Sequence, residues 1–281
     1  MLPPDFQFSQ ASLQDYVDCP RRFQLRYVER VAWPAPQADP PLENERYLQQ
    51  GAAFHRLVHQ HLLGLPAEQL SRLIVGEDLG QWWRNYLEAR PPDLPPLHYP
   101  EVLLSAPVGG YRLVARYDLV AVAPGRRAVV VDWKTSRRRP RRERLAQRLQ
   151  TRVYPYVLVR AGAQLNDGQP LTPAQVEMIY WFAPSPAHPE RFVYDQDRYA
   201  QDEARLTALI EEIGGLAVGE LPRTSQGRRC DYCSYRSLCE RGVMAGPLAE
   251  LEDEQEGEEV PEQEENWDVA FDFEQIAEIE Y

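Results

Sequence analysis

YRLVARYDLVAVAPGRRAVVVDWKTS, residues 111 to 136, decides how this chain folds. Its flanks are rich in Val, Leu, Ala and Tyr, the composition of strands rather than of a surface helix. Residues 111 to 122 and 127 to 134 read as two strands, joined through APGRR with Pro124-Gly125 as the turn signal. A three-residue loop centred on Gly125 makes an antiparallel hairpin in which Asp118 stands opposite Asp132, Cβ atoms about 5 Å apart. A two-residue loop would break that match.

Successive side chains on a strand alternate faces. Asp132 and Lys134 therefore share a face, and Val131 and Trp133 take the other. Two facing carboxylates repel, so one must protonate unless a cation lies between them. Oxygen ligands at that spacing suit Mg²⁺ or Mn²⁺, ions that lower the pKa of water and polarise a phosphoryl oxygen. Lys134 is the only lysine among 31 Lys and Arg. A compact ammonium beside a metal orients water or neutralises developing charge in a way a planar guanidinium does not. RRRPRRERLAQR, residues 137 to 148, follows at once with seven Arg and one Glu, and reads as a phosphate track. The chemistry indicated is phosphodiester hydrolysis. There is no G-x-S-x-G elbow and no P-loop.

Further out, residues 9 to 30 read as two short helices interrupted at Cys19-Pro20, with Ser9 as N-cap. Residues 43 to 64 read as a long helix and 67 to 89 as a further helical region ending before PPDLPP. Residues 101 to 105, 174 to 182 and 190 to 194 read as strands, and 141 to 160 and 199 to 217 as helices. Pro155 should kink the first of these two. The pattern predicts a mixed α/β domain with an antiparallel start.

Net charge is -12 but uneven. Residues 248 to 281 hold 15 of the 43 acidic residues and no Lys or Arg, so the remaining 28 face 31 basic ones. The body is mildly basic and compatible with nucleic acid. The tail is low-complexity and expected to be disordered, with Trp267, Phe271 and Phe273 near its end. MLPPDFQFSQ lacks the pattern of a signal peptide, and no apolar run reaches the length of a membrane helix. A cytoplasmic protein without a membrane partner is expected. Two units follow: a domain over 1–247 and an acidic tail over 248–281.

Four cysteines complete the set. Cys230, Cys233 and Cys239 are spaced C-x2-C-x5-C, and Cys19 lies far upstream in DCPRRF. Cytoplasmic disulfides are disfavoured. Four thiolates suit zinc or an iron–sulfur cluster, and spacing alone does not choose between them. On either metal they would join the two ends of the chain.

Taken together and in order, these segments resemble the RecB-like branch of the PD-(D/E)XK nucleases, including the CRISPR-associated iron–sulfur exonucleases, over most of residues 6 to 242. FSQASLQDYVDCPRRFQLRYV looks like that branch's opening segment, and GAAFHRLVHQHL like its helix with a metal-binding histidine, here His55. YDLV supplies Asp118, and VVDWKTS supplies Asp132 and Lys134. LQTRVYPYVL matches a Q-x-x-x-Y motif at Gln150 and Tyr154. Ala115 stands where the branch often has glycine. The resemblance implies a restriction-endonuclease-like core, a mixed sheet flanked by helices, with a cysteine-clamped helical region made from both chain ends. It implies metal ligation by His55, Asp118 and Asp132, catalytic roles for Lys134, Gln150 and Tyr154, and a [4Fe–4S] cluster on Cys19, Cys230, Cys233 and Cys239. His59 and His61 read as surface or structural side chains, and Glu101 as a looser candidate beside the site.

The expected function is a metal-dependent deoxyribonuclease acting in DNA repair, recombination or end processing. Its partners would be single-stranded DNA or DNA ends, with a helicase or CRISPR adaptation proteins as possible company. Two alternatives stay open: a DNA-end-binding subunit of a helicase–nuclease or CRISPR adaptation complex, and a zinc-stapled interaction protein working through its acidic tail.

Overall fold

The structure, a computed structural model, describes residues 2–32, 41–137, 139–217, 219–231 and 233–243. The acidic tail with Trp267, Phe271 and Phe273, and Arg138 of the Arg-rich run, lie outside the described residues. In chain order the elements are β1 (Gln7–Ser9), α1 (Gln10–Asp18), α2 (Pro20–Phe23), α3 (Pro41–Leu62), α4 (Ala67–Ser71), α5 (Glu77–Ala89), β2 (Leu97–Val108), β3 (Tyr111–Ala123), β4 (Arg127–Lys134), α6 (Arg142–Gln147), α7 (Leu149–Ala161), β5 (Val176–Phe182), β6 (Glu190–Val193) and α8 (Gln196–Gly214). A π-helical turn, Gln24–Val28, prolongs α2.

The turn after β3 closes as the sequence requires. Leu119 pairs with Val131, and the ladder runs in register to Ala123 opposite Arg127. The loop is Pro124, Gly125 and Arg126, with Gly125 at φ 70°, a conformation that glycine adopts without a Cβ penalty. The Gly125 N–H donates to Asn166 Oδ1 at 2.7 Å, which fixes the turn to the segment after α7.

The sheet is mixed. β2 runs antiparallel along one edge of β3. The other edge is shared: β1 pairs parallel with residues 112–114, and β4 pairs antiparallel with 119–123. β5 then pairs parallel with β4, and β6 antiparallel with β5. The short strand β1 was not foreseen, because three residues carry no readable period. Ser9 ends it and caps α1: its side chain accepts from the Ser12 N–H while the Ser12 side chain accepts from the Ser9 N–H, a capping box built from two serines.

Each sheet face carries its own apolar layer. One contains Phe8, Leu13, Tyr117, Val120, Val130, Val153, Val157, Met178, Leu206 and Ile210, so it lies against α1, α7 and α8. The other contains Phe54, Val58, Trp82, Trp83, Tyr86, Val131, Trp133 and Trp181, so it lies against α3 and α5. The helix expected over 141–160 is broken at Arg148, whose extended backbone separates α6 from α7. α7 continues through Pro155. Val153, Tyr154, Tyr156, Val157 and Leu158 around it are all buried, and that packing holds the helix across the proline. The region 67–89 is likewise two helices, parted before Gly76 at φ 108°.

Phe54 has no exposed surface and stacks on Trp181 at a centroid distance of 6.3 Å. Phe54→Ala should lower stability by about 3–5 kcal/mol. In urea the midpoint should fall while the slope stays unchanged. A midpoint equal to wild type would show that α3 is not held through this ring.

Candidate active site

β3 departs from strict alternation at one place. Tyr117 and Val120 lie in the same apolar layer although they are three residues apart, and Leu119 lies in the other. Regular alternation would put Tyr117 and Val120 on opposite faces. The break falls at Asp118. On the facing strand β2, Glu101 has φ 51°, and the ladder passes from Pro100–Leu119 to Val102–Tyr117 without a pair between them. A non-glycine residue in that region is uncommon and costs energy. Glu101, a loose candidate from sequence, is thus the strained residue opposite Asp118.

The β3–β4 ladder also stops at Leu119–Val131, one step before the two aspartates. Asp118 Oδ2 instead accepts the Trp133 backbone N–H at 2.7 Å. Asp118 Oδ1 lies 3.6 Å from His55 Nδ1 on α3. Asp132 is held from the opposite helical layer. Its Oδ1 accepts from Gln150 Nε2 of α7 at 2.7 Å, and its Oδ2 lies 2.9 Å from Lys134 Nζ. The two carboxylates therefore come from adjacent strands, each gripped by a helix on a different side of the sheet. Lys134 Nζ also lies 5.8 Å from the centre of the Tyr180 ring, and Tyr180 is the β5 partner of Asp132.

Electrostatics follow from this pairing. Burial alone would push the His55 imidazole down, but Asp118 more than reverses it, with Asp132 adding and Lys134 opposing, so the ring is pushed up to about 9. Burial raises the Asp118 carboxyl, but His55, the Trp133 N–H and Lys134 together hold it below the usual range. Without a metal, His55 is thus a cation ion-paired to Asp118 at neutral pH.

The structure brings together His55, Asp118, Asp132, Lys134 and Gln150. Tyr154 follows Gln150 one turn on in α7. It is buried in the α7 layer, its ring packs 4.9 Å from that of Tyr117, and its carbonyl accepts the Tyr117 hydroxyl at 2.9 Å. His61 is structural as expected, with Nδ1 3.1 Å from the Tyr86 hydroxyl. Sequence reading missed Tyr47, two helical turns before His55. Its hydroxyl donates to the Thr135 carbonyl, and the Arg137 guanidinium lies 4.2 Å over its ring. A tyrosine on the His55 face of α3 was the available signal.

The donor set of two carboxylates and an imidazole suits Mg²⁺ or Mn²⁺ in chemistry. Among the described residues, however, no three His, Cys, Asp or Glu side chains stand in position to hold one ion between them. The carboxylates are instead engaged by His55, Trp133, Gln150 and Lys134. All four cysteines line one cavity together with Arg223, Arg236 and Arg241. Burial pushes the Cys230 and Cys239 thiols up, and neighbouring arginines oppose it. Four thiols with cationic neighbours fit a thiolate-bound metal or cluster in donor chemistry. The ties between the chain ends that the structure shows are hydrogen bonds and ion pairs, the latter from Arg21 to Glu220 and from Arg229 to Asp18. Arg21 N–H donates to the Pro222 carbonyl at 3.1 Å, Gln24 bonds Gly219 and Leu221, and the Tyr235 hydroxyl donates to the Val31 carbonyl.

Comparison with known proteins agrees with this architecture. Residues 7–240 match the family described as the PD-(D/E)XK nuclease superfamily, and the chain belongs to it. Among solved structures, a candidate exonuclease from Eubacterium rectale is similar at 10% identity and a TM-score of 0.46, covering 87% of this chain and 91% of that one. The crystal structure of SSO0001 is similar at 14% identity and a TM-score of 0.37, covering 85% and 88%. No curated protein matches in sequence. No helix among the described residues is long and apolar enough to cross a membrane.

In metal-free protein, the His55 ring should titrate near 9 by NMR. The ion pair stabilises the fold fully below the unfolded value of 6.5, and that contribution is lost as pH rises through 9. Asp118→Asn should return the His55 midpoint to 6.5 or lower. A midpoint unchanged by that substitution would disprove the pairing.

Proposed function

We propose that this chain is a divalent-metal-dependent deoxyribonuclease. The observation that carries the reading is the convergence of Asp118 and Asp132 from adjacent strands, with Lys134 beside Asp132 and His55 beside Asp118. Membership of a nuclease superfamily supports it. His55, Asp118 and Asp132 would hold Mg²⁺ or Mn²⁺. When bound, the ion supplies Lewis-acid polarisation of the phosphoryl oxygen and lowers the pKa of water.

The protein's own groups have separate tasks. Gln150 fixes one oxygen of Asp132 and so sets where the other points. The Trp133 N–H does the same for Asp118. Lys134 carries a compact positive charge to the place where negative charge develops on the phosphate. His55 must lose its proton before it can ligate, so ligation displaces the ion pair with Asp118. Tyr154, packed on Tyr117, acts as a positioning residue that sets α7, and with it Gln150, against the sheet.

Cys19, Cys230, Cys233 and Cys239 would hold a [4Fe–4S] cluster, which supplies a covalent link between the chain ends. Their shared cavity supports this reading. Anaerobically purified protein should be brown, with iron and sulfide in equal amount. Cys19→Ala should lose that absorbance and become protease-sensitive at both ends. Colourless protein carrying one zinc per chain would overturn the cluster.

The direct test uses end-labelled single- and double-stranded DNA with Mn²⁺ or Mg²⁺. Wild type should cleave and EDTA should stop it. Asp118→Ala and Asp132→Ala should abolish cleavage, and Lys134→Arg should reduce it roughly 10²-fold while the protein stays folded. Cleavage by Asp132→Ala at the wild-type rate would place the chemistry elsewhere.

A further inference from the structure

Three arginines that follow Lys134 lie over aromatic rings, one on the α3 side of the sheet and two on the α7 side. The Arg137 guanidinium lies 4.2 Å from the Tyr47 ring, Arg139 5.9 Å from Phe182, and Arg142 4.4 Å from Phe192. Phe182 is the β5 partner of Lys134, and Phe192 pairs with Met178 on the same face of the sheet. A guanidinium held over an aromatic ring is restrained before its ligand arrives, and its N–H groups suit phosphate. Two of the three converge on one carboxylate. Arg139 donates to Glu190 Oε1, and Arg142 donates to Glu190 Oε2 at 2.7 Å and to the Arg191 carbonyl at 2.7 Å. The two arginines hold the Glu190 carboxyl below its usual range against the upward pull of burial.

Glu190 sits in register with the site. Asp132 pairs with Tyr180, and Tyr180 pairs with Glu190, so the two acids share one row across the sheet. Two interstrand steps put them roughly 10 Å apart, about three nucleotides along a strand. The arginines are partly exposed while Glu190 is largely covered by them.

We infer that Arg137, Arg139 and Arg142 form a preorganised rail for the backbone phosphates of one DNA strand, and that Glu190 is its internal counter-ion, holding the phosphate position of Arg139 and Arg142 until DNA displaces it. This rests on the nuclease reading above and names how that site takes its substrate. Held this way, Arg139 and Arg142 share one counter-ion when no DNA is bound. The exchange of one carboxylate for phosphate uses guanidinium groups already in place.

Fluorescence anisotropy with a labelled oligothymidylate strand in EDTA, across a salt series, tests this without hydrolysis. Glu190→Gln should bind roughly 3–10-fold tighter at low salt. The slope of log affinity against log salt should steepen by about 0.7 for each arginine released. Arg139→Gln should bind more weakly and flatten the slope by about 0.7. Glu203→Gln on α8, which breaks a 2.9 Å ion pair with Arg160, controls for bulk charge. Weaker or unchanged binding by Glu190→Gln would overturn the inference, as would an equal gain from Glu203→Gln. Should Glu190→Gln fail to fold, Arg139→Gln decides alone, and unchanged affinity there overturns the rail. Wild type that cleaves DNA while Glu190→Gln fails to tighten defeats only this inference. Wild type that neither binds nor cleaves defeats the nuclease reading as well.

Discussion

The antiparallel ladder between β3 and β4 is the constraint from which the site follows. Its register runs from Ala123–Arg127 to Leu119–Val131 and stops there. One step further, the backbone gives way to side chains: Asp118 takes the Trp133 N–H that a regular ladder would give to a carbonyl or leave to a neighbouring strand. The same edge of β3 serves β1 near its start and β4 near its end. Asp118 lies between those two ladders, where the strand edge is open to side-chain chemistry. A one-residue slip of the hairpin would reverse the faces of every residue on β4, turning Asp132 and Lys134 into the Trp133 layer. Burial of Val129, Val131 and Trp133 on one face and Ala128 and Val130 on the other fixes the register firmly.

Charge is arranged in nested pairs around that opening. His55 balances Asp118, Lys134 balances Asp132, and Glu190 balances Arg139 and Arg142. Two carboxylates this close would otherwise favour protonation of one. The metal-free protein instead brings a basic side chain to each, His55 to Asp118 and Lys134 to Asp132. If His55 ligated a divalent ion there, its imidazole would have to be neutral, and the pairing with Asp118 would be given up. The aromatic layer behind the site keeps these partners in place: Phe54 precedes His55 and stacks on Trp181, while Trp133 packs edge-on at 5.5 Å from Trp181.

Much of this was legible in the sequence, for definite reasons. The hairpin register followed from one turn and the alternation around it. Asp132 and Lys134 shared a face because a period of two admits nothing else. The lone Lys among arginines lies beside Asp132 in the structure. Other features were not legible. The interruption at Asp118 depends on β2, whose strained residue Glu101 is distant in sequence. Continuity of α7 through Pro155 reflects burial on several sides, which local propensity does not contain. The Arg-rich run read as an open phosphate track, yet Arg137, Arg139 and Arg142 lie over Tyr47, Phe182 and Phe192, and the last two arginines pair with Glu190, partners contributed by three other segments. The motif names Tyr154 but does not contain its contacts with Tyr117, the residue before Asp118.

The central claim is that Asp118 and Asp132, held by opposite layers of the fold, form one divalent-ion site. Electron paramagnetic resonance of Mn²⁺ titrated into the full-length protein tests it most directly, since bound Mn²⁺ loses the free-ion signal. Wild type should bind Mn²⁺ in competition with Mg²⁺, and Asp118→Asn and Asp132→Asn should each abolish that same binding while melting as folded proteins. Retention of wild-type Mn²⁺ affinity in either variant would contradict the account.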